Sequence, residues 1–130
     1  MGMILSVDDD QFVLGFIGEL FKSAGIPIVL TSNAIEALEI ASNFSVDVAI
    51  LDVSLPQMNG FELQSALRQI DPFTRVIFLS SRMNKSDLLL ALRYGAVDYL
   101  TKPIDKDILL KTVCDNQQLA QQFRNRRHVS

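Results

Sequence analysis

Residues 46–51 read Val-Asp-Val-Ala-Ile-Leu, five apolar side chains out of six, followed at once by Asp52. A strand with one wet face alternates apolar and polar residues. A near-continuous apolar run is what a parallel sheet covered on both faces requires. The flanking sequence repeats the theme. Upstream, Met3 to Val7 reads as a first strand, and Ile28 to Leu30 as a second. Between them Val13, Phe16, Ile17, Leu20 and Phe21 fall at helical spacing, with Gly25 placed to end the helix. Asn33, with Glu36 three residues on, opens a second helical stripe of Ala34, Ala37, Leu38 and Ala41. Downstream, Leu63, Ala66, Leu67 and Ile70 mark a third helix, and Arg75 to Leu79 a fourth strand. Asn84 and Asp87 are placed to cap a fourth helix running through Leu92 and ending near Gly95. Tyr99 and Leu100 anchor a fifth strand, and a last helix starts near Asp105.

Five strand–helix units with buried strands imply an open, doubly wound α/β domain, because right-handed crossovers place helices on both faces. An eight-fold barrel needs about twice this chain. The 130 residues suit one domain, able to bury a core without staples. From Asn116 the pattern thins. Gln117, Gln118, Gln121 and Gln122 surround only Leu119, Ala120 and Phe123, so residues 120–130 are expected to form a helical extension or linker beyond a domain of 1–119. Arg124, Arg126 and Arg127 read as a solvated end. Such a tail favours a domain within a longer protein over a stand-alone one.

A net charge of −3 argues against nucleic-acid binding by this domain alone. The single cysteine, Cys114, closes no internal disulfide, and neither a signal peptide nor a membrane-length apolar run is present. A cytoplasmic location, with no membrane association, is the expectation. The lone His128 lies in the polar tail, so no histidine phosphocarrier is read here.

In open parallel sheets, ligands bind beyond the carboxyl ends of the strands. Those ends supply Asp8, Asp9 and Asp10 from strand one, Asp52 from strand three, Ser80 and Ser81 from strand four, and Thr101, Lys102 and Pro103 from strand five. Converging carboxylates repel unless a cation joins them, and an oxygen-only set suits Mg²⁺. Lys102 and Ser80 add an ammonium and a hydroxyl suited to an anion. A carboxylate in such a pocket can act as a nucleophile toward phosphorus. Asp10, next to the first helix, reads instead as its cap.

Read together, the acidic pair at Asp8–Asp9, the segment ILDVSLPQMNG around Asp52, LSS at Ser80 and DYLTKP at 98–103 resemble the response-regulator receiver domains of two-component signalling, from about Met3 to about Leu119. The resemblance implies a flavodoxin-like sheet of order 2-1-3-4-5 with five helices on two faces, and Asp52 as the phosphoacceptor. It implies Mg²⁺, with Mn²⁺ able to replace it, held by Asp9, Asp52 and the main-chain carbonyl of Ser54, with Asp8 acting through water. Lys102 would pair with Asp52 before phosphorylation, across a cis bond to Pro103, while Pro56 and Gly60 shape the loop after Asp52. Ser80 and Tyr99 would form the switch that alters the surface of helix four, strand five and helix five. Implied partners are a sensor histidine kinase or phosphotransfer protein and a downstream output domain or protein, with phosphorylation-dependent homodimers among the assemblies allowed. This is a regulatory phosphoacceptor, not an enzyme with a separate substrate.

The chain departs from the common pattern at Ser80, where Thr is usual, and at Ser81, where Ala is usual. Ser54 and Arg82 occupy positions that tune loss of the phosphoryl group. An aspartate-nucleophile phosphatase would need an acid at position 54. A flavin-binding relative would not carry three carboxylates after strand one. A degenerate receiver would not retain Asp9, Asp52, Ser80 and Lys102.

Overall fold

The computed structural model describes residues 2–81 and 84–129, the side chains of 127–129 excepted. The elements run β1 (Met3–Val7), α1 (Gln11–Ser23), β2 (Val29–Thr31), α2 (Ala34–Asn43), β3 (Val46–Leu51), α3 (Gly60–Ile70), β4 (Arg75–Ser80), α4 (Lys85–Arg93), β5 (Asp98–Thr101) and α5 (Lys106–Val129). All four strand pairings are parallel, in the order β2-β1-β3-β4-β5. The open, doubly wound sheet expected from the apolar strands is therefore present.

Local chemistry sets the helix ends. Asp10 caps α1, its carboxylate accepting from the N–H groups of Phe12 and Val13. Asn33 and Asn84 do the same for α2 and α4. A reciprocal capping box opens α3, where Asn59 and Glu62 each accept from the other's backbone N–H. Gly25 and Gly95 follow α1 and α4 with φ of +72° and +89°, a left-handed conformation that glycine adopts without a Cβ clash.

The sheet separates two apolar layers. On one side Ala34, Ala37, Ala41, Leu63, Leu67 and Ala91 pack on Leu5, Val7, Leu51 and Phe78. On the other, Ile17, Phe21, Leu109 and Val113 pack on Ile4, Val48, Ile50 and Ile77. Thus α2, α3 and α4 cover one face, and α1 and α5 the other. Each fully buried large side chain contributes about 1.5–3 kcal/mol, so α4, the shortest helix, whose one fully buried residue is Ala91, is the least anchored of the five. Its exposed face carries Leu89 and Leu92, and its C-terminal carbonyls are tied down from α3. There Gln64 Nε2 donates to the Tyr94 carbonyl and Arg68 Nη1 to that of Gly95, each at 3.0 Å.

In the C-terminal stretch, where a helical extension or a linker was expected, the correction falls on Arg124, which is not a solvated end. Residues past Asn116 continue α5 to Val129, with Ala120 fully buried and Arg124 paired with Asp47 and Asp71. Few apolar residues were available there, but polar ties hold the helix where apolar burial would not.

Candidate functional site

The pocket sits beyond the carboxyl ends of β1, β3, β4 and β5. Hydrogen bonds between adjoining strand ends fix its floor: Asp8 N–H donates to the Thr31 carbonyl at 3.2 Å, Asp52 N–H to Val7 at 3.0 Å and Lys102 N–H to Ser80 at 2.8 Å. Asp8 is buried, Asp9 exposed, and the Asp52 side chain only 12% exposed. One carboxylate oxygen from each of the three lies within 4.8 Å of the others. Asp8 Oδ1 also accepts from the Asp10 N–H at 2.9 Å. Asp10 itself faces α1 as a cap, as its position next to that helix predicts.

Lys102 Nζ lies 2.9 Å from Asp8 Oδ2 and 3.9 Å from Asp52 Oδ2. The ammonium therefore bridges both carboxylates and favours Asp8, where the resemblance implies a pairing with Asp52. Asp8 is the more buried carboxylate, so it gains most from a direct counter-charge. The Lys102–Pro103 bond is cis, as expected.

The electrostatics bear on a cation. Asp52 is pushed up from 3.8 to about 6, chiefly by burial and then by the charge of Asp8. Lys102 and the Ser54 N–H, which donates to it, pull the other way, and Asp9 adds a further upward push. Lys102 alone does not offset the burial and the like charges, so a further cation here would lower the cost of ionising Asp52. The donor set is all oxygen, with no His or Cys, and fits a hard divalent ion.

Ser80 and Tyr99 are both buried. Burial raises the Tyr99 hydroxyl above its ordinary range, with the nearby Ser80 hydroxyl opposing the effect and the charges of Asp87 and Asp52 adding to it. The ring packs 6.1 Å from Phe78, which in turn lies 5.0 Å from Phe61. Tyr99 is thus a core residue rather than the half-buried edge aromatic its strand position alone suggests.

The loop after Asp52 carries Ser54 and Pro56 on the surface and ends at Gly60, which opens α3. A Cβ at Gly60 would collide with the Asp52 carbonyl oxygen and lie 2.9 Å from Val53 Cα, so only glycine lets α3 start this close to the pocket. Arg82 lies outside the described residues.

Sequence reasoning missed Asp47, a fully buried carboxylate in β3. It also assigned Arg124 to a solvated end, whereas its guanidinium pairs with Asp47 at 2.9 Å. A lone acid inside an apolar strand was the available signal.

Comparison with known proteins places this geometry. A model of the response regulator receiver domain matches residues 4–114. The Regulator of RpoS of Escherichia coli K12 is 36% identical over 105 residues, covering 81% of this chain and 31% of that protein. The transcriptional regulatory protein CpxR of the same strain is 36% identical over 112 residues, 85% of this chain and 47% of its own length. The chain thus spans less than half the length of each of these relatives. Among solved structures, the signal receiver domain of an HD domain-containing protein from Pseudomonas fluorescens Pf-5 superposes with a TM-score of 0.89 at 27% identity, covering 96% of this chain and 93% of that one. Chemotaxis protein CheY4 of Vibrio cholerae superposes at 0.81 with 30% identity, covering 88% and 98%. Receiver domains bind Mg²⁺ at an acidic cluster such as the one formed here by Asp8, Asp9 and Asp52. No described helix is long and apolar enough to cross a membrane. The chain belongs to the response-regulator receiver family, whose members are regulatory phosphoacceptor domains of two-component signalling.

Proposed function

We propose that Asp52 accepts a phosphoryl group from the histidine of a sensor kinase or phosphotransfer protein, and that this shifts the surface formed by α4, β5 and α5. The carrying observation is that a largely buried carboxylate, Asp52, stands beside two others and an ammonium at the carboxyl rim of the sheet. In the transfer, an Asp52 carboxylate oxygen forms a bond to phosphorus as the donor's nitrogen–phosphorus bond breaks. The electron pair of that bond stays on the imidazole. Lys102, already 3.9 Å from Asp52, is placed to bond the phosphoryl oxygens, and the Ser80 hydroxyl to turn toward them. When bound at Asp9, Asp52 and the Ser54 carbonyl, with Asp8 through water, Mg²⁺ would offset the charge on the phosphoryl oxygens; Mn²⁺ has the same oxygen preference.

The response starts from the buried Ser80 hydroxyl near Tyr99. A hydroxyl that turns to the phosphoryl group leaves the side of Tyr99, and β5 with the lightly anchored α4 can resettle at small cost. The lost methyl at Ser80 weakens its rotamer preference, so the shift is expected to be partial. Ser54 and Arg82 tune removal of the group by water. A cytoplasmic setting, an output domain or protein that reads the surface, and a phosphorylation-dependent homodimer complete the proposal. Beryllofluoride with Mg²⁺, a mimic of the phosphoryl group, tests it. Amide signals from Ser80 to Tyr99 should move more than those from Ala34 to Ser42, and the opposite ranking would overturn the assignment.

A further inference from the structure

The end of the sheet farthest from the acidic pocket holds a second ionic cluster. Asp47, near the start of β3, is fully buried, and a buried carboxylate is costly unless paired and hydrogen-bonded. Its oxygens accept from Arg124 Nε at 2.9 Å, from the Gly2 N–H at 3.1 Å and from Gln121 Nε2 at 3.4 Å. The other arm of the same guanidinium donates to Asp71 Oδ2 at 2.7 Å and to the Val46 carbonyl at 3.1 Å. Phe73 lies beneath it, ring centre 5.6 Å away. Neighbouring turns of α5 add ties: Gln117 Nε2 donates to the Gly2 carbonyl at 3.2 Å, and Asn116 Oδ1 accepts from Arg75 Nε at 2.7 Å. Arg75 in turn sits over the Phe123 ring, 5.7 Å from its centre.

Arg124, Gln121, Gln117 and Asn116 all lie past residue 114, where the family match stops. We propose that Asp47, Asp71 and Arg124 form a clamp that makes residues 115–126 a structural part of this domain and sets the direction in which α5 leaves it. If the last turns of α5 frayed, Asp47 would lose its guanidinium partner and remain buried with its charge. That cost binds the helix end to the folded sheet. Only a planar fork reaches both carboxylates and the Val46 carbonyl at once, so Arg124 acts here as a positioning residue that lysine cannot fully replace.

The clamp also has a mechanical consequence. β3 carries Asp52 at its pocket end and Asp47 at the other; β4 carries Ser80 at its pocket end and Arg75 at the other. Both far ends are gripped by α5, whose first turn follows the Lys102–Pro103 bond at the pocket. The helix is a rod of 24 residues, about 36 Å long, which runs from the pocket end of β5 to the far ends of β3 and β4. A displacement of the β5–α5 loop is then borne by the whole rod and not lost in a fraying end.

Hydrogen exchange of the full chain, without metal or phosphodonor, tests the clamp. Amides of Gln121–Arg126 in the wild type should be protected to within about tenfold of those in Leu109–Val113. Arg124→Ala should speed exchange across Gln117–Arg126 by about tenfold or more, the loss expected for a charge-assisted pair, while β1 and β4 keep their protection. Arg124→Lys should fall between. Asp71→Asn, which keeps the Asp47 pair, should give a smaller acceleration in a folded protein and serves where Arg124→Ala unfolds. Unprotected amides past Leu119 in the wild type would overturn the proposal, as would an Arg124→Ala protein with unchanged exchange there.

Discussion

Replacing Asp52 by Asn should stabilise the metal-free protein at neutral pH while removing the group proposed to carry phosphate. In the fold the Asp52 carboxyl titrates at about 6, against 3.8 ordinarily. The folded state therefore binds its proton more tightly than the unfolded state does. Ionising it costs nothing extra below about pH 4, and the cost grows between pH 4 and 6 and is complete above about pH 7. A gap of about two units corresponds to about 3 kcal/mol, and screening at a side chain 12% exposed trims this to roughly 2 kcal/mol. Asn has a similar shape, keeps an oxygen for the Ser54 N–H and carries no charge. Urea unfolding in EDTA should give the variant about 2 kcal/mol at pH 7.5 and about a third of that at pH 4.5. In a chain of this size that gain corresponds to roughly 6–10 °C in melting temperature. Mg²⁺ should narrow the difference by supplying the wild type with the missing counter-charge. A gain equal at both pH values, or a loss at pH 7.5, would refute the electrostatic reasoning.

Two further outcomes follow from the same pocket. Asp9→Asn should shrink the Mg²⁺-induced rise in melting temperature, without making the metal-free protein less stable, because it removes a ligand and a repelling charge together; an unchanged Mg²⁺ response would place the cation elsewhere. Gly60→Ala should cost about 1–3 kcal/mol by urea titration, since the new methyl meets the rigid Asp52 carbonyl and Val53 backbone and not a movable side chain.

Much of this architecture was legible in the chain because it is encoded locally. The apolar run at 46–51, the caps at Asp10, Asn33 and Asn84, and Gly25 and Gly95 each specify an element from neighbouring residues. The candidate pocket was legible for a related reason: once the sheet is parallel, Asp8, Asp9, Asp52, Ser80 and Lys102 must meet at one rim. Side-chain choices inside that rim were not. Whether Lys102 leans to Asp8 or Asp52 turns on relative burial, a tertiary property, and so does the depth of Tyr99 against Phe78. The clamp was least legible of all. Asp47 and Arg124 stand 77 residues apart, and the glutamines around Arg124 resemble a linker to any test that counts apolar residues. Their hydrogen bonds to the floor of the sheet carry no local signature.

The most direct test of the central claim is the intact mass of the protein after incubation with Mg²⁺ and acetyl phosphate. The wild type should gain the mass of a single phosphoryl group, and lose most of that gain when Mg²⁺ is chelated beforehand. Asp52→Asn, folded and at least as stable without metal, should show almost none. Equal labelling of wild type and Asp52→Asn would mean that the phosphoryl group goes to another residue and that Asp52 is not the acceptor.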